Sequence, residues 1–157
     1  MKQWLIGCTH FGHENIIRLA KRPFETLHEM NSTLTDNWNK TVGHDDVVYH
    51  LGDFAYRGKT PPVDYLNKLN GKIVLIKGNH DQNGWGEDLV TLYGKQRIVL
   101  CHYPIEEWDG WWNGSYHFHC HTHKHEFKSA ERRGNVTVEA INYTPIRLEE
   151  AIERVSE

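Results

Sequence analysis

Histidine, aspartate and asparagine recur along this chain in five short clusters: Cys8-Thr9-His10, Gly52-Asp53, Gly78-Asn79-His80-Asp81, Cys101-His102 and His119-Cys120-His121-Thr122-His123. Carboxylate, amide and imidazole groups are ligands for hard and borderline divalent cations. Two such ions held about 4 Å apart can share a hydroxide nucleophile and stabilise charge on a transferring phosphoryl group. That chemistry needs one ligand common to both ions, a task suited to a carboxylate. Asp53 is the natural candidate, because Gly52 lets the backbone turn sharply just before it. His10, Asn79, His102, His121 and His123 can fill the remaining positions. In an extended strand His121 and His123 would project to one side and could each face a different ion.

Each cluster follows an apolar run that reads as a β-strand, at residues 4–6, 47–51, 73–76, 98–100 and 116–118. Strand ends are where open α/β sheets gather their binding groups. Helical patterns cover residues 14–22, stopped by Pro23, and 27–42, with Leu34 and Trp38 on one face. A third covers 63–69, opened by Pro61-Pro62 and closed by Asn70-Gly71, and a last one 148–155. Strands alternating with helices imply a parallel sheet. Beyond residue 95 strand follows strand, including 135–142 with its alternating Val136, Val138 and Ala140. No repeat, low-complexity run or interdomain linker interrupts the chain, so residues 1–157 read as a single domain.

A chain of 157 residues can bury a core without disulfides, and its three cysteines form no regular framework, so they read as reduced thiols. The net charge of −3 gives no strong nucleic-acid footprint. The apolar part of residues 1–7 is too short for a signal peptide and no stretch could span a bilayer, so a cytoplasmic protein without a membrane partner is expected. Among the 12 histidines, His28 and His44 sit in polar surroundings and read as solvated. Trp108, Trp111 and Trp112, with Tyr103 and Tyr116, suit a core or a homo-oligomer interface better than a nucleobase platform.

The ordered series of clusters resembles the calcineurin-like metallophosphoesterase superfamily, whose pattern is Asp-x-His, Gly-Asp, Gly-Asn-His-Asp or Glu, a lone His, then Gly-His-x-His. The strings Thr9-His10-Phe11-Gly12-His13 and His102-Tyr103-Pro104 are similar to a small bacterial and phage branch of it. The resemblance implies an α/β fold, a four-layer sandwich of two facing mixed β-sheets flanked by helices, with a dinuclear metal site at the sheet edge. It implies two divalent or transition metal ions, zinc, iron or manganese. One would be held by Cys8, His10, Asp53 and His123, the other by Asp53, Asn79, His102 and His121. His80 would protonate the leaving group, with Asp81 orienting its ring; an imidazolium beside a carboxylate stays a competent acid near neutrality. The implied activity is hydrolysis of a small phosphate ester, a phosphodiester or nucleotide, by a metal-bridging hydroxide.

Two positions depart from that pattern. Cys8 stands where the family has a metal-binding aspartate; a thiolate keeps the negative charge and favours zinc or iron over magnesium and manganese. A neutral thiol there would instead leave a depleted site and a catalytically impaired binding scaffold. Cys120 replaces a glycine and, like Cys101, reads as packing. His13 and Arg57 are placed to reach a bound phosphate, or else to be solvated loop residues. A zinc module over residues 117–125 would need a C-x-x-C pair that the sequence lacks.

Overall fold

The computed structural model describes residues 1–56 and 58–156. In chain order the strands are β1 (Gln3–Ile6), β2 (Val47–His50), β3 (Lys72–Leu75), β4 (Leu89–Leu92), β5 (Ile98–Cys101), β6 (Tyr116–His119), β7 (Lys128–Ala130), β8 (Arg133–Asn135) and β9 (Ile146–Arg147). The helices are α1 (Asn15–Leu19), α2 (Leu27–Thr41), α3 (Pro62–Leu66) and α4 (Leu148–Val155). One sheet has the order β3-β2-β1-β9 and the other β4-β5-β6-β8-β7. Strands β1, β2 and β3 run parallel, as do β5, β6 and β8, while β9, β4 and β7 join antiparallel at edges. Both sheets are therefore mixed, as the resemblance implies.

A direct backbone link joins the sheets. The Gly7 N–H donates to Val136 O at 2.9 Å and Gly7 O accepts from Val138 N–H at 3.2 Å, so the chain leaving β1 pairs with the segment leaving β8. Leu5, Ile6, Val48 and Leu51 on one side and Leu100, Phe118 and Val136 on the other belong to one buried cluster. Helix α2 contributes Met30, Leu34 and Trp38, spaced four apart on a single stripe. Its start is fixed by Thr26, whose side chain accepts from Glu29 N–H at 3.1 Å, a cap worth about 1 kcal/mol. Asp46 ties the start of β1 to the turn before β2: its carboxylate accepts from Lys2 N–H, Gly43 N–H and Trp4 Nε1–H at 2.9–3.0 Å. No helix among the described residues is long and apolar enough to cross a membrane.

Three expectations from the sequence change in the structure. The strand expected over residues 135–142 ends at Asn135 and becomes a 3₁₀ turn at Val138–Ala140. Its alternation is deceptive because Thr137 and Glu139 are buried along with Val136 and Val138. A segment covered on every side has no polar face to alternate with. Helix α1 stops at Leu19, and Lys21, at φ 51°, breaks the helical path before Arg22, whose side chain is buried. Third, His121 and His123 lie beyond the end of β6 in a loop, with His121 at φ 68°, so strand alternation does not govern their directions.

Candidate metal centre

Parallel pairing brings the motif loops to one edge. In register, Ile6 stands beside His50 and His50 beside Leu75, so the loops after β1, β2 and β3 leave the first sheet at the same level. Strands β5 and β6 deliver His102 and His121 in the same way from the second sheet. The loops then bind one another: Cys8 N–H donates to Gly52 O at 2.9 Å, His10 N–H to Asp53 O at 3.0 Å and Cys120 N–H to His102 O at 3.0 Å. Cys8, His10, Asp53 and His121 all hold left-handed φ values of 53°–68°. Non-glycine residues held in such a conformation store about 1–3 kcal/mol each, a cost characteristic of functional sites. Gly52 is at φ 105°, and a Cβ there would come within 2.6 Å of both Gly78 N and His102 Nδ1.

Asp53, His102 and His121 form one ligand group, with Asn79 beside it. His102 Nδ1 lies 2.9 Å from the Leu51 carbonyl, which can only accept, so that nitrogen carries the proton. His102 Nε2 is then a bare lone pair. Around it stand Asn79 Oδ1 at 2.9 Å, His121 Nδ1 at 3.2 Å and Asp53 Oδ2 at 3.4 Å. Adjacent ligands of a cation with bonds of about 2.0–2.2 Å sit roughly 3 Å apart, so these spacings fit a shared ion.

Cys8, His10 and His123 form the second group. His10 Nε2 is buried with no hydrogen-bond partner, an orphaned atom that a cation would satisfy. His123 Nδ1 is 3.0 Å from Glu139 Oε1, which fixes the ring and leaves Nε2 for the group's interior. Burial pushes the Cys8 thiol up, but the neighbouring Cys120, His10 and His123 side chains outweigh it and hold the group well below the ordinary thiol range. Its sulfur also accepts from His121 N–H at 3.2 Å. Asp53 Oδ2 is 3.6 Å from His10 Nε2 as well as 3.4 Å from His102 Nε2, so one carboxylate oxygen reaches both groups. Asp53 Oδ1 accepts from His80 N–H at 2.8 Å.

Cys120 falls near Cys8 and His102, but its Sγ donates to Leu51 O at 3.1 Å, and burial together with the neighbouring Cys8 raises its pKa well above the ordinary value. That is a packed, protonated thiol. Half-buried Cys101 is likewise pushed up by burial.

Arg22, Glu139 and His50 support the site although their motifs did not single them out. The buried Arg22 guanidinium donates to Glu139 Oε2 at 2.7 Å and to Cys8 O and Thr9 O at 2.6 and 2.8 Å. It locks the first motif to the carboxylate that orients His123. Burial holds His50 down to about 3, so its ring is neutral. Gly52 N–H donates to Nδ1 at 3.2 Å, leaving Nε2–H for Thr9 Oγ1 at 3.0 Å, and that hydroxyl donates to Phe54 O at 2.7 Å. The available signal was a carboxylate, Glu139, set inside an apolar alternation.

His80 stands at the rim, exposed, with its ring 5.5 Å from that of His10 and 4.4 Å from that of Tyr56. Asp81 corrects an expectation. Its carboxylate accepts from Asp53 N–H, Gly78 N–H and Phe54 N–H at 2.8–3.2 Å, so it braces the second and third loops rather than the His80 ring. His13 sits beside His10, Nδ1 to Nδ1 at 3.2 Å, and burial with the charges of His10 and His80 lowers it to about 4. Near neutrality it is an uncharged neighbour of the site and lines a cleft with Tyr56, Lys59 and Tyr65. Arg57 lies outside the described residues. The aromatic segment divides: Trp108 is buried 5.3 Å from the His117 ring, while Trp112 is 80% exposed.

Residues 1–154 match the family described as Calcineurin-like phosphoesterase. The chain is 40% identical to an uncharacterized protein of Methanocaldococcus jannaschii over 156 residues, covering 94% of this chain and 88% of that one. It is 30% identical to the Gene 66 protein of Mycobacterium phage L5 over 103 residues, 63% of this chain and 49% of the phage protein. Its fold is similar to that of a protein of unknown function from Aquifex aeolicus, with a TM-score of 0.76 at 24% identity over 98% of this chain and 99% of the other.

Proposed function

The chain belongs to the calcineurin-like phosphoesterase family, and from that premise we propose that it is a cytoplasmic metal-dependent hydrolase of a small phosphate ester, a phosphodiester or nucleotide. The observation that carries this reading is the position of Asp53 Oδ2, 3.6 Å from His10 Nε2 and 3.4 Å from His102 Nε2. One carboxylate can serve two ions there. Cys8, His10 and His123 complete one set; Asn79, His102 and His121 complete the other. Two divalent ions held by these sets would supply positive charge to the phosphoryl oxygens and make water a nucleophile near neutral pH.

The chain's own groups do the rest. Asp53 Oδ1 holds the His80 backbone, which keeps the ring at the rim where a leaving oxygen departs. His80 gives that oxygen a proton. Glu139 and Leu51 O fix the ring orientations of His123 and His102, so neither must reorganise when substrate arrives. The thiolate of Cys8 biases the first set toward zinc or iron.

The test strips the protein with a chelator and assays phosphodiester and phosphomonoester hydrolysis with zinc, iron, manganese and magnesium added back. Hydrolysis restored by metal supports the reading. A protein that binds fewer than two ions and hydrolyses neither ester class with any of the metals is the binding scaffold that a neutral thiol at Cys8 would leave.

A further inference from the structure

His80 has two neighbourhoods. Its ring lies 5.5 Å from that of His10 in the metal centre and 4.4 Å from that of Tyr56, and with Tyr56 it lines a cleft of about 480 Å³. That volume lies within the ~300–1,000 Å³ of small-ligand sites. Tyr56, Trp85, Pro61 and Pro62 line the cleft, with Lys59, Thr60, Asp81 and Gln82 as polar members. Trp85 is half-buried, with its Nε1 sealed from solvent, so the part of the indole that the cleft meets is hydrocarbon. Phe54, 5.8 Å away, backs the indole and limits its movement.

We infer that this cleft holds the leaving group, and that the leaving group carries a planar ring: the substrate is a phosphate ester of a nucleoside, with the base against Trp85 and Tyr56. This rests on the hydrolase reading above, in which His80 protonates the departing oxygen. Hydrolysis adds water across one P–O bond: the water oxygen joins phosphorus, the bond to the nucleoside oxygen breaks, and that oxygen takes the His80 proton. The group that departs therefore lies on the His80 side, where the cleft offers the rings of Tyr56 and Trp85 and two prolines beside its polar members. A flat ring gains from stacking there, whereas a bare sugar or small alcohol leaves those faces wet. Gln82 adds an amide donor and acceptor suited to a base edge.

Two substrates alike in phosphate and sugar isolate the base: the methyl monoester of adenosine 5′-phosphate and that of ribose 5-phosphate, both losing the sugar 5′-oxygen. The full metal-loaded chain is expected to prefer the adenosine ester by about 5- to 150-fold in kcat/KM, the worth of one stacked base. Trp85→Leu and Tyr56→Leu should each pull that ratio toward one. A parent ratio near one, with both esters hydrolysed, overturns the cleft assignment and leaves the hydrolase reading intact. If neither ester is hydrolysed the hydrolase reading falls for this substrate class, and saturation-transfer NMR with free adenosine and free ribose decides the cleft alone. Saturation of the adenine protons that disappears in either variant upholds it; absence of saturation in the parent overturns it.

Discussion

Cys8 is the residue at which this site differs most from its family's pattern, and its surroundings suit a thiolate: a backbone N–H from His121 and two imidazoles of its own ligand group. Cys8→Asp should therefore keep two-metal binding and move the optimal metal toward manganese or magnesium, whereas Cys8→Ser should weaken the first set; metal analysis beside activity assays reads both. His80 differs in kind, since its ring ligates nothing in the proposed sets. His80→Ala should lose about two to four orders of magnitude in rate while metal content stays near the parent. The loss should shrink for an ester whose leaving group needs no proton; metal loss in step with activity would make His80 a ligand. His123 carries a pH signature. Burial works against its charge, but hydrogen bonds to Cys8 and Glu139 raise it to about 10 in the metal-free protein. A proton is thus bound near neutrality and an ion must displace it, so calorimetric metal binding should release protons and strengthen with rising pH.

Among the elements, the loop crossings rather than the strands set the site's precision. Gly52→Ala would place a methyl against Gly78 N and His102 Nδ1 in a backbone conformation that disfavours side chains. It should cost roughly 2 kcal/mol or more in denaturant unfolding and weaken metal binding together with stability. The buried Glu139–His123 contact adds an acid limit. Hydrogen bonding to His123 and the Arg22 charge overcome burial and hold Glu139 down to about 2, below its ordinary 4.5. Its contribution is complete above about pH 4.5 and is lost as pH falls toward 2. The metal-free parent should therefore lose stability through that window, and Glu139→Gln, weaker at neutral pH, should lose less of it. Five motif strands were legible because each apolar run ends in chemically distinctive residues. Strands β7 and β9 were not, being two or three residues long with polar Lys128, Ser129 and Arg147 among them. The bond between Arg22 and Glu139 spans 117 positions, and no local pattern announces a pairing made by folding. Asp81 shows the same limit: the resemblance implied a partner for the His80 ring, but three converging backbone N–H groups captured the carboxylate.

For the whole molecule, the order of motifs along the chain carries the fold because parallel pairing converts sequence order into a common edge. Two mixed sheets linked at Gly7 set that edge, and one buried cluster spans both. On the proposed function, this edge holds two ions through one shared carboxylate and uses them to hydrolyse a phosphate ester. Metal content per chain, measured with diester hydrolysis in the parent and in Asp53→Asn, tests it most directly. Two ions and metal-dependent turnover are expected in the parent, with both metal occupancy and turnover collapsing in the folded variant. An Asp53→Asn protein that keeps two tightly bound ions and near-parent activity would contradict it.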